Sequence, residues 1–236
     1  MEKVAVIVPI YKEKLNALEE VSLRQCQKIL GHYPLFFVGP KGLTITYQEL
    51  LPEAKKKEFN PSFFTDTQSY SRLLTAPEFY EAFLNFEYIL IYQADAYVFK
   101  DELMHWCHQG YDYIGSPKLK LENYLNPNKV KNWRMDAHLL NGGFSLRKVK
   151  AMIRFTKIFH FFYRRVPVNE DQLFSCYFIR YIPLRAFIHL PNWKTALKFG
   201  WEKNPSIAYS LEQELPFGCH AWEKYHPKFW KEWIEN

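Results

Sequence analysis

Short, continuous apolar runs separated by stretches of helical spacing set the frame of the chain. Val4-Ala-Val-Ile-Val-Pro9 is apolar, β-branched and closed by proline, as expected of a strand buried on both faces. From Lys14 to Leu30, Leu15, Leu18, Val21, Leu23 and Ile29 recur at roughly helical spacing among charges, and Gly31 supplies a stop. Leu35-Phe-Phe-Val38, ended by Gly39-Pro40, predicts the second strand. A crossover of this length joins parallel strands with right-handed connection, so the opening predicts a β-α-β unit and a doubly wound sheet.

Beyond a lysine-rich stretch, Phe63-Phe64 suggests another strand, Tyr70 to Phe86 a helix broken at Pro77, and Tyr88 to Tyr92 the clearest buried strand. Asp101 to Gln109 predicts a helix with Asp101 near its start and Gly110 at its stop, followed by a short strand at Tyr113-Ile-Gly115. Ser116 to His138 has no sustained period and carries Pro117, Pro127 and Trp133; a stretch of that length inside a domain is usually functional. Gly142-Gly143 precede a strand at Phe144-Ser-Leu146, and a basic helix follows from about Arg147 to Arg165. Another helix opens at Asn169-Glu-Asp-Gln-Leu-Phe174, a strand lies near Ala186 to Leu190, and the tail reads as irregular. The 236 residues fit one large domain with a sizeable core.

In an open α/β sheet, ligands bind outside the carboxyl ends of the strands. That rule gathers Pro9, Ile10, Tyr11 and Lys12, the triplet Gln93-Ala94-Asp95, and Asn141-Gly142-Gly143 around one crevice. Asp95, placed just past a buried strand, either holds a hard cation such as Mg²⁺ or Mn²⁺ beside substrate phosphates or caps the helix that follows. The glycine pair marks either a tight turn or the close approach of backbone to a ligand. Glu170 and Asp171 suit a helix start through the dipole, and in a real site one of them acts as general base. His220, in the loop Pro216 to Trp222, is a structural imidazole, a ligand completing a divalent site, or a phosphate contact when protonated. His105 and His108 lack a third ligand and read as surface.

Composition narrows the partners. The formal charge of +6 favours a polyanion, but lysines and arginines form no dense run, which sets nucleic acid aside in favour of a phosphorylated small molecule or an anionic membrane face. Seven Trp, sixteen Tyr and twenty Phe supply core packing and leave room for stacking surfaces. The basic, aromatic segment Ile153 to Arg165 is either a core helix with a charged outer face or a peripheral contact with the inner face of the cell membrane. Lys224 to Trp233 carries the same two readings. Cys26, Cys107, Cys176 and Cys219 are too scattered for a zinc or redox motif and are expected as reduced thiols. The start of the chain lacks the long apolar core of a signal peptide, and no run reaches a membrane-spanning length, so a cytoplasmic location is expected.

Five segments in order, YQADAYVF, WCHQGYDYIGSP, NGGFSLR, NEDQLF and PFGCHAW, resemble a bacterial family known as a domain of unknown function and, more broadly, the GT-A glycosyltransferases. The resemblance covers nearly the whole chain. It implies an α/β, Rossmann-like GT-A fold with a mixed, mostly parallel sheet flanked by helices, whose residues 1–115 form a nucleotide-binding half and 116–236 an acceptor-side half with a C-terminal tail. It further implies a nucleotide-sugar donor, with a UDP-sugar favoured, and a divalent metal, Mn²⁺ or Mg²⁺. The acceptor it implies is a glycan or lipid-linked glycan such as lipooligosaccharide or surface polysaccharide. The Asp-x-Asp metal motif reads Gln93-Ala94-Asp95, so an amide replaces the first acid. His220 matches a C-terminal metal ligand, Arg72 a basic donor contact, Tyr11 and Lys12 the nucleotide region, Gly142-Gly143 a segment beside donor sugar and acceptor, and Glu170-Asp171 the acidic pair that carries the base of inverting enzymes, with Asp171 the first choice. A non-catalytic carbohydrate-binding or scaffold protein is the alternative raised by Gln93. A sugar-nucleotide nucleotidyltransferase ranks lower, because Pro9-Ile-Tyr-Lys12 lacks a glycine-rich phosphate loop.

Overall fold

Strand β1 (Glu2–Pro9) is buried from Val4 onward and lies at the middle of the larger sheet, as its unbroken apolar run requires. The computed structural model describes residues 2–118, 139–162, 169–177 and 188–234. Helix α1 (Ala17–Leu30) starts at a capping box in which the Asn16 side chain accepts from Glu19 N and the Glu19 carboxylate accepts from Asn16 N. It buries Leu23, Cys26 and Leu30 and ends where Gly31 N–H donates to Gln27 O. Strand β2 (Leu35–Pro40) then pairs parallel with β1, with Val6 opposite Leu35.

The next strand is not at Phe63-Phe64. Strand β3 (Lys55–Phe59, sequence KKKEF) takes the sheet edge, where lysines keep a free strand edge soluble and hide it from a search for apolar runs. Pro61–Phe63 is a 3₁₀ turn capped by the Asn60 side chain, which accepts from Ser62 N. Asp66 caps α2 (Thr67–Thr75), and Pro77 separates it from α3 (Pro77–Glu81) as expected. Strand β4 (Phe86–Tyr92) pairs parallel with the other side of β1. After the short β5 (Ala96–Val98), Asp101 Oδ1 accepts from Leu103 N at the start of α4 (Leu103–His108), and Gly110 turns away at φ +77°.

Strands β6 (Tyr113–Pro117) and β7 (Leu140–Lys148) complete the sheet in the order β3-β2-β1-β4-β7-β6, with β7 antiparallel to both β4 and β6. The sequence reading placed Gly142-Gly143 before this strand and Arg147 in a helix; both lie within β7, and α5 (Val149–Phe162) begins only at Val149. Glu170–Gln172 forms α6, continued by a π turn at Leu173–Tyr177. Ile188 to Leu190 carries no strand pairing; its anchorage is a reciprocal contact in which Asp112 N donates to His189 O and His189 N to Asp112 Oδ2.

The tail holds regular elements where an irregular segment was expected. Helix α7 (Trp193–Phe199), β8 (Gly200–Trp201), α8 (Pro205–Glu212), β9 (Gly218–His220) and α9 (Pro227–Trp230) build a second sheet, β5-β9-β8, over its own aromatic core. Trp201, Cys219, Trp222 and Trp230 are buried there, and Phe99 stacks on Trp230 with ring centroids 5.7 Å apart. These elements are too short for a period to show, and aromatic packing rather than patterning holds them.

Cys26, Cys107 and Cys219 are buried free thiols, whereas the Cys176 side chain lies outside the described residues. The same holds for Leu119 to His138 of the long loop, for residues 163–165 of the basic segment and for Ala186 and Phe187. Among the described residues no helix is long and apolar enough to cross a membrane. Helix α5 buries Phe155, Thr156 and Phe159, as a core helix does, while Phe161 and Phe162 near its end stay exposed. In the tail, Trp230 is buried and Trp233 is 38% exposed.

Candidate functional site

Sheet order reverses between β1 and β4, the two strands whose carboxyl ends carry Pro9-Tyr11 and Gln93-Asp95. A crevice opens at such a switch point because the connections leave in opposite directions. Here it is a cleft of about 440 Å³ lined by Pro9, Tyr11, Ala94, Phe64, Tyr70 and residues at the start of α2, with the side chains of Glu19, Asp66, Asp95 and Glu223 among its polar groups. Tyr11 is 63% exposed, a flat ring presented to solvent, and the Tyr70 hydroxyl is buried. Lys12 turns to Glu19, with Nζ 2.6 Å from Oε2. Arg72 is exposed on α2 and stands off the cleft wall. His105 and His108 are exposed, as expected.

The two sheets meet at Asp95. Pairing of Ala96 with His220 brings β9 beside the Gln93-Ala94-Asp95 turn, which Ala96 N closes by donating to Gln93 O. His220 Nε2 lies 3.0 Å from Gln93 Oε1 and 3.2 Å from Asp95 Oδ1. Burial raises the Asp95 pKa, but the charge and hydrogen bond of His220 outweigh it, so the carboxyl sits below its usual range. Burial works against charge on His220 too, yet Asp95 first and Glu202 second raise its pKa to about 9. Glu202 was not foreseen: an isolated acid in an aromatic tail carries no sequence signal. It is 4% exposed, its Oε1 accepts from Asn141 Nδ2 and lies 3.7 Å from His220 Nδ1.

Glu223 was missed as well. Left-handed backbone at Ala221, φ 51°, turns the chain directly after His220, and Glu223 joins the cleft wall. Its pKa is raised by burial and by the charges of Asp95 and Glu19, while Lys224 nearby helps lower that of Asp95. Among the described residues no three His, Cys, Asp or Glu side chains are gathered as a metal cluster. The set that converges is one carboxylate, one imidazole and one amide oxygen, which suits Mn²⁺ or Mg²⁺ by ligand chemistry once the imidazole gives up its proton.

The Asn-Gly-Gly segment forms a bulge. The register with β6 shifts between Gly115 and Ser116, so that Ser145 and Asn141 face successive residues. Gly142 O, freed by the bulge, accepts from Ser145 Oγ at 2.7 Å and from Arg147 Nη2 at 3.1 Å, while Asn141 Oδ1 accepts from Gly143 N. Each glycine lets a different part of the site approach the strand. A methyl on Gly142 would fall on Glu170 Oε1; one on Gly143 would fall on His220 Nε2 and 2.7 Å from Gln93 Oε1. Gly143→Ala is therefore expected to displace His220 and Gln93 and to shift the His220 imidazole NMR signals, with the fold retained by circular dichroism; unchanged signals would contradict this.

The acidic pair divides. Glu170 is nearly buried, with Oε1 3.4 Å from Arg147 Nη2 and Oε2 accepting from Ser71 Oγ at 3.1 Å. Asp171 faces Lys118, Nζ to Oδ2 3.4 Å, and its pKa is raised by burial first and by the charge of Glu170 second. Arg147 is fully buried, donates to Tyr80 Oη and Ser145 Oγ, and lies over the rings of Tyr113 and Phe174. Desolvation opposes its charge, but Tyr80, Tyr113 and Glu170 more than compensate.

Solved structures share this architecture. Mouse xyloside xylosyltransferase 1 matches at TM-score 0.55 and 12% identity over 92% of this chain and 97% of its own. The galactosyltransferase LgtC, solved in complex with donor and acceptor sugar analogues, matches at 0.54 and 10% identity over 92% and 86%. A glycosyltransferase involved in glycosylating the major capsid of PBCV-1 matches at 0.53 and 11% over 99% and 100%. These likenesses make the fold glycosyltransferase-like, of the GT-A type. A search of curated proteins returned no match to the sequence. The family model described as protein of unknown function (DUF5672) matches residues 53–220, well over half of the chain, and the protein belongs to that family.

Proposed function

We propose that the protein is an inverting glycosyltransferase that moves a sugar from a nucleoside diphosphate donor, with UDP favoured, to a glycan acceptor such as lipooligosaccharide or surface polysaccharide. The observation that carries this reading is the Asn-Gly-Gly bulge, where Gly142 abuts the acidic pair and Gly143 abuts the Gln93–His220 edge of the cleft. One strand thus joins Glu170, the neighbour of Asp171, to a cleft able to take a donor. In the division of labour proposed, residues 1–115 supply most of the nucleotide side, and the acceptor side comes from 116–236, which also returns His220 and Glu223 to the cleft.

The acceptor hydroxyl attacks the anomeric carbon, its oxygen forms the new glycosidic bond, and the bond from that carbon to the diphosphate oxygen breaks. Asp171 accepts the hydroxyl proton, a task suited to a carboxylate whose pKa lies above the usual range. Tyr11 offers a face for a base, and Pro9 and Ala94 line the same cleft. Acid side chains line the cleft, so a diphosphate needs positive charge there. When bound, Mn²⁺ or Mg²⁺ held by Asp95 and His220 would neutralise the leaving diphosphate. Exposed Phe161, beside the cations of α5, supports a peripheral membrane contact for a lipid-linked acceptor.

The test is nucleotide release from a panel of nucleotide sugars with Mn²⁺ present. UDP release from at least one donor is expected, and Asp95→Asn should reduce it by at least tenfold; no release and no nucleotide binding would refute the reading. The His220–Asp95 ion pair, a cation already in place beside an altered Asp-x-Asp triplet, favours one second reading, a carbohydrate-binding protein without turnover.

A further inference from the structure

Glu170 and Asp171 are chemically alike and adjacent, yet their surroundings give them different work. Both oxygens of Glu170 are engaged, one by Arg147 from β7 and the other by Ser71 from α2. Gly142 closes over the same carboxylate so tightly that no side chain fits between. Arg147 is itself fixed on all sides, by Tyr80 Oη at 3.0 Å, Ser145 Oγ at 3.0 Å, Gly142 O at 3.1 Å and the faces of Tyr113 and Phe174. Asp171 Oδ1 accepts from Gln172 N on its own helix at 2.7 Å, and its Oδ2 faces the partly exposed Lys118 ammonium at 3.4 Å.

We infer that Glu170 is a positioning residue and not a second base: Arg147 and Ser71 clamp both its oxygens in the wall behind β7, next to Asp171 on the same short helix. The inference rests on the transferase reading only for what Asp171 does with its proton. The clamp unites two sequence motifs, Asn141-Gly-Gly-Phe-Ser-Leu-Arg147 and Asn169-Glu-Asp171, in one unit. Charged and titratable groups acting around Asp171 are Glu170 on its own helix, Lys118 after β6 and Tyr113 on β6, whose hydroxyl donates to Leu140 O. Of the two carboxylate-to-cation contacts, the one at Glu170 is the more shielded from water, so salt screens it less. The raised pKa of Asp171 agrees with the geometry: burial raises it most, and the charge of Glu170 adds to it.

The experiment is a carboxyl ¹³C NMR titration of the full chain labelled at aspartate, with Asp171→Asn used to assign the signal. In the parent, Asp171 should titrate above the ordinary aspartate value of about 3.9. In Glu170→Gln the midpoint should move to lower pH, and the acid limb of kcat/KM should move the same way, with turnover falling far less than in Asp171→Asn. Should Glu170→Gln fail to fold, with Arg147 left unpaired, the double variant Arg147→Met/Glu170→Gln removes both charges and should show the same lowered midpoint. A midpoint unchanged by loss of the Glu170 charge would overturn the inference. So would a loss of turnover in Glu170→Gln as deep as in Asp171→Asn, because it would make Glu170 a base. A lowered midpoint in a protein that turns over no donor would uphold the clamp and count against the transferase reading alone.

Discussion

Asp171→Asn should remove turnover by about 10²–10⁴-fold, the usual worth of a general base, while leaving donor binding and the fold intact. The stability side of this expectation has a definite sign. Asp171 is an acid whose pKa in the folded chain is raised, by burial and then by Glu170. The folded state therefore holds that proton more tightly than the unfolded chain, so ionising Asp171 costs stability above its folded pKa, and stability returns as pH falls through that value. Asparagine carries no charge to be penalised. It gives up the contact with Lys118, a partly exposed pair 3.4 Å apart whose loss is small. A melting temperature at pH 7 equal to or above that of the parent, together with the loss of turnover, is expected from calorimetry and kinetics. A residue retained only for packing would show the reverse, a lower melting temperature with activity falling in proportion to the folded fraction.

Arg147→Met should have the largest effect on stability. The guanidinium is fully buried and hydrogen-bonded, so its removal leaves the Glu170 carboxylate in the wall with only Ser71 as a partner. Breaking a buried pair from one side typically costs about 3–5 kcal/mol. For a chain of this size that corresponds to a melting temperature lower by roughly 6–20 °C. Gly142 O also loses a donor in the bulge and keeps only Ser145 Oγ. Removing both charges in Arg147→Met/Glu170→Gln should restore much of the loss, because no lone charge then stays buried. Thermal melts of parent, single and double variants form a cycle that measures the coupling directly. Equal destabilisation in the single and double variants would show that Arg147 stabilises by packing alone.

Much of the sheet could be read along the chain, and the misses have physical causes. Strands β1 and β4 are buried on both faces, so their apolar runs are continuous and their carboxyl ends could be located; this is what made Asp95 conspicuous. Strand β3 is an edge, and KKKEF has the composition of an edge designed against pairing, not of a core. Arg147 read as the first residue of a basic helix because Lys148 and Lys150 follow closely, and nothing local distinguishes a buried arginine from its exposed neighbours. The tail read as irregular because its order comes from aromatic contacts such as Phe99 on Trp230, made by residues far apart in sequence.

The candidate site divides in the same way. Asp95, Gln93, His220, the glycines and the acidic pair were each visible as a motif, and the fold brings Gln93, Asp95 and His220 within hydrogen-bonding reach. That the two glycines serve different partners was not legible, since it depends on a bulge opposite β6 that brings Glu170 and His220 against adjacent positions of one strand. Glu202 and Glu223 lie among aromatic and lysine residues with no period or motif, and only the pairing of β9 with β5 and the left-handed turn at Ala221 place them. Arg72, which by resemblance matches a basic donor contact, is exposed on α2, and Tyr70 of the same helix lines the cleft.

Soaking crystals of the protein with a UDP-sugar and Mn²⁺ tests most directly whether the cleft between β1 and β4 is a donor site that faces Asp171. The expected result is a nucleotide against Tyr11, with any bound metal held by Asp95 and His220, and Asp171 facing the anomeric carbon. A nucleotide bound elsewhere, or one bound in this cleft with its anomeric carbon turned away from Asp171, would contradict it.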